Sequence, residues 1–227
     1  MNGIWVGSAV ARERLRGLTL PVVLALCACA VYALAVLDRP SGGSSADSTL
    51  EGRVFGLALP VLGYFLSERV CDGQRLDRSV DAVARYGTDR RAALLGVLLT
   101  SALYLAVGSA LLTVVGLLGA QAEHDPTFAR DLRMSLGIAL ISGATYALWF
   151  GAASLLGKRG GGRKWSLVLD FVFGAGSSAL AAPWPRGHVR NLLGGSPVLD
   201  LSQHSAWLAL VAIGALSATW SVTRTPS

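Results

Sequence analysis

The sequence predicts an all-α, polytopic membrane protein with six transmembrane helices and both termini in the cytoplasm. Three observations lead to this fold. Of the 227 residues, 52% are hydrophobic and only 15% are charged, whereas a soluble globular domain has about 25% charged residues. The apolar residues form six runs that are uncharged except for Asp170 in the fifth, and the basic residues between them are unevenly distributed. This composition excludes a disordered chain, a collagen, a disulfide scaffold and a large soluble enzymatic domain.

Each uncharged run is a candidate transmembrane helix. A helix rises about 1.5 Å per residue, so crossing about 30 Å of hydrocarbon takes about 20 residues. The second run has only 14 residues; it spans if charged residues at its ends snorkel, and the alternative is a re-entrant segment. The runs are Gly17–Leu37, Val54–Ser67, Ala92–Ala122, Met134–Gly157, Trp165–Pro185 and Leu201–Thr223.

The basic residues orient these spans through the positive-inside rule. Three precede the first run, six lie between the second and third, four lie between the fourth and fifth, and one follows the sixth. The other side carries only six, so both termini are expected in the cytoplasm. The net charge of +6 is explained in this way without nucleic acid as a partner. The first run contains a possible signal-peptide cleavage site at Ala33-Leu34-Ala35, but we expect it to remain as a span because five further runs follow.

This topology divides the chain into three parts. They are an N-terminal cytoplasmic or interfacial segment (1–16), the six-helix transmembrane domain (17–223) and a cytoplasmic tail (224–227). In the first part we expect a helix lying on the inner membrane surface, with Trp5 at headgroup depth. The longest outer connection is a Pro- and Gly-rich hairpin at 182–204.

One cytoplasmic connection has a pattern of its own. Residues 75–87, here called the docking segment, place Leu76, Val80 and Val83 at the spacing of one helix face. The sequence therefore predicts a short amphipathic helix, Leu76–Tyr86, which ends at the following glycine. It is too short and too charged to span a membrane.

The docking segment has two interpretations. It either lies among the lipid headgroups or docks a soluble partner, and its mixture of acidic and basic residues favours a protein groove. In the second case the partner covers the apolar face, while Asp81 and Arg85 form charge pairs at the rim. The residues expected to contact the partner are Leu76, Asp77, Val80, Asp81, Val83, Arg85 and Tyr86.

These features resemble an ABC-2-type transporter permease, the membrane subunit of ATP-binding-cassette (ABC) exporters. The match lies in Glu68 and Asp72-Gly73 before the docking helix, in Gly87–Arg91 at the entry to the third span, and in the outer hairpin with Pro183 and Pro197 before the last span. The resemblance implies a multi-pass protein of the cytoplasmic (inner) membrane of a bacterium. It also implies a homodimer or pseudo-dimer of permeases that pairs with an ABC ATPase subunit.

The chain is not expected to be an enzyme. It has no G-x-x-x-x-G-K-[ST] phosphate loop, so we expect no cofactor in this chain, and ATP and Mg would bind to the partner ATPase subunit. A non-transport membrane scaffold or regulatory subunit is the first alternative. An intramembrane serine protease is the second, but Ser142-Gly143 lacks the preceding glycine of a G-x-S-G motif, and His204 would have to serve as its base.

Two further polar features are candidates for a functional site. Asp170 interrupts the fifth run, and an acid inside a membrane is a functional candidate by default; alternatively, Arg163 or Lys164 pairs with it as a structural neighbour. The three histidines, His124, His188 and His204, are far apart in sequence, so no metal site is expected.

Overall fold

The computed structural model describes residues 2–38, 45–120 and 128–225, and these contain helices and turns but no β-strand. The helices in chain order are α1 (Gly3–Leu15), α2 (Thr19–Asp38), α3 (Ser45–Ser48), a π-helix (Thr49–Ala58), α4 (Leu59–Cys71), a 3-10 helix (Asp77–Val80), α5 (Asp81–Ala84), α6 (Arg90–Ala120), α7 (Phe128–Ala153), a 3-10 helix (Lys158–Gly160), α8 (Gly162–Phe173), a 3-10 helix (Ala179–Ala181), α9 (Pro185–Leu192), a 3-10 helix (Val198–Asp200) and α10 (Gln203–Arg224). The all-α class is confirmed.

Five of these helices are long and apolar enough to cross a membrane: α2, a composite helix over Ala46–Cys71, α6, α7 and α10. By length and composition the chain is therefore a multi-pass membrane protein. They correspond to the first, second, third, fourth and sixth predicted runs. Residues 121–122, where the third run was expected to end, lie outside the described residues.

The composite helix extends the short second run to 26 residues. Its amino-terminal part is a π-helix of ten residues, a form that is rare and occurs mostly as single turns. The charged residues expected to flank the run thus lie within the helix, where Arg53 pairs with Asp38 at the end of α2 at 3.2 Å. Because 26 residues suffice to span, a re-entrant segment is not needed.

The helix pair α6 and α7 forms the centre of the fold. At Gly143 the two backbones approach so closely that a Cβ atom would lie 2.6 Å from the carbonyl oxygen of Leu105. Gly143 thus permits close packing of two helices within the chain.

The fifth predicted run, Trp165–Pro185, is not one continuous helix, so this part of the prediction was wrong. α8 ends at Phe173 after 12 residues, which is about 18 Å of rise and too short to cross alone. The small residues 174–178 form the break. Glycine disfavours the helix, and Pro185 is accepted only in the first turn of α9.

Two arginines of α9 satisfy carbonyl groups that this break releases. Arg186 donates to the carbonyl oxygen of Phe171 (3.4 Å), and Arg190 donates to those of Ala175 and Gly176, the second at 3.2 Å. In an apolar environment each unsatisfied backbone group costs several kcal/mol. The outer hairpin predicted at 182–204 thus contains a short polar helix that holds the broken element in place.

The amino-terminal helix packs against the start of α6. Its buried face consists of Gly3, Gly7, Ala11 and Leu15, and a Cβ at Gly7 would lie only 1.8 Å from the carbonyl oxygen of Ala93. Trp5 stays exposed, and its position at headgroup depth stays a prediction.

The end of α10 lies at the same end of the molecule. Arg91, in the first turn of α6, donates from its Nε to the carbonyl oxygen of Thr225 at 3.2 Å. We call this end, which also carries the docking segment, the docking end.

Candidate docking site

The docking segment begins where α4 ends. The amide of Asp72 donates to the carbonyl of Arg69 (3.2 Å) and that of Gly73 to the carbonyl of Glu68 (3.3 Å), which is the pairing of a Schellman motif. Asp72 and Gly73 have φ values of 52° and 66°, in the left-handed region that Gly adopts freely and Asp tolerates. The acidic residue and glycine that precede the segment therefore turn the chain back across the docking end.

The segment is helical but is not the single regular helix that was predicted. A 3-10 helix passes into α5 at Val80, whose φ and ψ are −106° and 1°. Gly87 (φ 79°) ends the segment, as predicted, and its amide donates to the carbonyl of Ala84 at 3.0 Å. The carboxylate of Asp89 then accepts from the amide of Arg91 (3.1 Å) and caps α6.

The apolar residues of the segment face the protein itself. Leu76 and Val80 are fully buried in the core, and Val83 packs against it half-buried. Leu76 lies close to Gly151 of α7, where an added Cβ would be 3.8 Å from its Cδ2. The expectation that a partner covers Leu76 and Val80 is therefore wrong, because the ends of α4, α6 and α7 already cover them.

The acidic residues of the segment also have partners within the chain. Arg75 holds Asp77 through two hydrogen bonds of 3.1 Å. Asp81, which was expected to form a charge pair with the partner at the rim, pairs instead with Arg90 of α6 within the chain. Arg90 reaches Asp81 from the next helix, while Arg85, one turn further along α5, is directed outward and exposed.

The amino-terminal helix provides a further attachment. The guanidinium of Arg14 donates to the carbonyl of Val70, at the end of α4, at 2.7 Å and to that of Ser79, in the segment, at 2.9 Å. The segment is thus attached to α1, α4 and α6 through buried apolar contacts and charged hydrogen bonds together.

The outer face of the segment consists of Arg78, Ala82, Arg85 and Tyr86. The Tyr86 side chain is 90% exposed, although a tyrosine normally buries much of its ring. Of the residues expected to contact a partner, Arg85 and Tyr86 are the two whose side chains are fully available at the surface. The sequence did not single out Arg78 or Ala82, which lie on the same face.

A buried ion pair lies at the end of α4, just before the docking segment. Arg163, in the first turn of α8, is 2% exposed and pairs with Glu68 of α4 at 3.0 Å. Its guanidinium also donates to the carbonyls of Ser67 and Arg159, both at 3.3 Å. The sequence indicated Arg163 as a loop charge and as a possible partner of Asp170, because its actual partner is 95 residues away. The pair links the end of α4 to the start of α8.

Asp170 is fully buried and lies between three helices. Its Oδ2 accepts a hydrogen bond from the hydroxyl of Tyr146 on α7 at 2.8 Å. Since Arg163 pairs with Glu68, the expected pairing of Asp170 with Arg163 or Lys164 was wrong. The Asp170 carboxylate interacts electrostatically with the guanidinium of Arg186 on α9 instead. Asp170 thus joins α8 to α7 and to α9.

The histidines contribute to local structure or lie at the surface. The Nε2 atom of His188 is 2.8 Å from the carbonyl oxygen of Ala182, His204 is exposed, and His124 lies outside the described residues. Within the described residues no three His, Cys, Asp or Glu side chains are grouped closely enough to hold a metal ion. Ser142, the serine of the protease alternative, is buried in α7.

Comparison with known proteins gives no family for this chain. No family model matches the sequence, and no curated protein matches it. The resemblance to ABC-2-type permeases therefore depends on the topology and on the residues quoted for it.

Proposed function

We propose that this chain is the membrane-spanning permease subunit of an ATP-driven ABC exporter in a bacterial cytoplasmic membrane. In this proposal a separate ATPase subunit binds ATP and Mg and docks on the exposed face of the docking segment, and two permeases act as a dimer. Hydrolysis moves the segment, and the spans tilt to alternate access. The observation that carries the proposal is a segment attached firmly on one side and exposed on the other.

The attachment of the segment supports this mechanism. A docking element transmits force only if it moves with the helices behind it. Here Leu76 and Val80 are buried in the core. Arg14 donates to the backbone at the end of α4, and Arg90 donates to the backbone of the segment and pairs with the carboxylate of Asp81. Protein interiors are packed too densely to absorb a displacement. Movement of the exposed face around Tyr86 would therefore reach the composite helix, α6 and α7.

Six crossings, with both termini in the cytoplasm, are part of the proposal. The broken element α8–α9 supports the sixth crossing. At the start of α8, Arg163 contacts Glu68 at the docking end, whereas in α9 Arg190 lies 3.9 Å from Glu51 at the other end of the composite helix. Residues 162–192 thus extend from one end of the bundle to the other.

Reporter fusions test this topology. Fusions after Ser227 and within Gly160–Gly162 are expected to report the cytoplasm, and a fusion at Gly194 the outside, because fourteen of the twenty basic residues lie on the first side. Enzyme reporters active on only one side of the membrane provide the measurement. A cytoplasmic signal at Gly194 would contradict the sixth crossing.

The docking proposal predicts that Tyr86→Ala weakens association with the ATPase. An exposed aromatic residue at the centre of an interface typically contributes about 2 kcal/mol, or roughly a thirtyfold change in affinity. The measurement is co-purification of an ABC ATPase with the solubilised permease. Tyr32→Ala, at a 48% exposed tyrosine of α2, is the matched control and should retain the ATPase. If Tyr86→Ala retains it equally well, this face is not the docking site, and the alternative of a headgroup-associated segment in a scaffold protein is favoured.

A further inference from the structure

A basic pocket lies between the docking segment and the loop that precedes α8. It has a volume of about 380 Å³ and is lined by Arg75, Arg78, Gly157, Lys158 and Arg159. Arg75 is paired with Asp77. Within the described residues Arg78, Lys158 and Arg159 pair with no acidic side chain. Three uncompensated cations therefore surround one concave surface.

The loop that supplies two of these cations is held in a strained conformation. Arg159 has a φ of 54°, between Gly157 and Gly160 at 73° and 72°. A left-handed conformation is unfavourable for arginine and persists only where the surroundings enforce it. Here the buried Arg163 donates to the carbonyl of Arg159 at 3.3 Å. This hydrogen bond holds the backbone from which the Arg159 side chain projects.

The surroundings of the pocket match a lipid better than an acidic protein. The loop connects α7 directly to α8, so the pocket lies where membrane helices end. Leu156, immediately before the loop, is exposed, and Trp165 in the first turn of α8 is 69% exposed. Exposed tryptophans mark the membrane interface, and an apolar surface next to a cationic pocket suits a ligand that has acyl chains and an anionic headgroup.

We propose that this pocket binds the phosphate-bearing headgroup of an anionic phospholipid, with its acyl chains along Leu156 and Trp165. Guanidinium and ammonium groups recognise phosphate through charge-assisted hydrogen bonds. Basic pockets between membrane helices on the cytoplasmic side bind such headgroups in other proteins. The site does not depend on the proposed transport function.

The test measures lipid preference in the full-length protein. The protein is reconstituted in phosphatidylcholine vesicles, and spin-labelled phosphatidylglycerol is compared with spin-labelled phosphatidylcholine for association with the protein. The wild type should prefer phosphatidylglycerol. The variant Lys158→Gln/Arg159→Gly should lose this preference, by about fivefold for each charge removed. Arg12→Gln/Arg16→Gln removes two exposed charges of α1 at the same end and should retain it.

A folding defect gives a different result from lost binding. Because φ at position 159 suits glycine, Arg159→Gly should melt no lower than the wild type while binding the lipid more weakly. If the double variant is not monodisperse, Arg78→Gln alone should reduce the preference.

Three results would overturn the proposal. They are an equal loss in the pocket variant and the α1 control, the absence of any preference in the wild type, and displacement of the labelled lipid by inorganic phosphate at matched ionic strength. An equal loss in both variants would indicate binding by diffuse surface charge. The absence of a preference in the wild type would indicate that the pocket binds an acidic protein surface. Displacement by phosphate would indicate a soluble phosphate ligand.

Discussion

Val80→Asp is expected to abolish the folded protein, not only its association with a partner. Val80 is fully buried where the docking segment meets the core, so the substitution loses about 1.5–3 kcal/mol of apolar burial. It also places a carboxylate without a partner in an apolar site, which costs several kcal/mol more. The total, at least about 4 kcal/mol, is a large part of the stability of a typical domain.

The matched control is Ala82→Asp. It introduces the same charge two residues away on the exposed face of the segment. The measurement is the yield of monodisperse protein extracted from the membrane, followed by thermal unfolding in detergent. Ala82→Asp should behave as the wild type, whereas Val80→Asp should give little or no folded protein. A stable, monodisperse Val80→Asp protein that has lost only its partner would mean that Val80 faces the partner.

Glu68→Gln is expected to destabilise the protein more than Arg163→Met. Arg163 is 2% exposed, while the Glu68 side chain is 38% exposed. Removing Glu68 leaves a buried cation without its counter-ion, at a cost of about 3 kcal/mol, the lower end of the range for broken buried pairs. Removing Arg163 leaves the Glu68 carboxylate, which water can reach, so this change should cost less stability. The double variant should recover most of the stability that Glu68→Gln loses.

Thermal unfolding of the four proteins of this cycle measures the coupling. The exposed pair Glu13–Arg16, at 3.0 Å with both side chains more than two-thirds exposed, provides the control. Glu13→Gln should leave the unfolding midpoint unchanged, because water screens exposed pairs. If Glu68→Gln and Arg163→Met lower the unfolding midpoint equally and their effects add in the double variant, the pair does not stabilise the junction of α4 and α8.

The sequence was sufficient for the features that depend on local patterns. Four uncharged runs of about 20 residues or more, and a fifth of 14, predicted the five apolar helices, because no charged residue interrupts them. Gly87 predicted the end of the docking segment, because only a left-handed residue closes a helix in this way. The break after Phe173 also had local signals, because the small residues 174–178 lie within the predicted run and Pro185 lies at its end.

Long-range relationships could not be predicted. The spacing of Leu76 and Val80 shows that one face of the segment is covered, but it does not distinguish a partner from the chain's own helices. Arg163 and Glu68 are 95 residues apart, and only the folded chain brings them together. The π-helix at 49–58 extends a run that appeared too short, and no residue pattern distinguishes it from an α-helix.

The central claim is that the exposed face around Tyr86 docks an ABC ATPase. The most direct measurement places a photo-crosslinking amino acid at position 86 and, in a second protein, at position 32 on α2, and irradiates native membranes. The proposal predicts that position 86 forms an adduct with a protein carrying Walker motifs and that position 32 does not. An adduct of position 86 with lipid alone, or the same ATPase adduct from both positions, would contradict it.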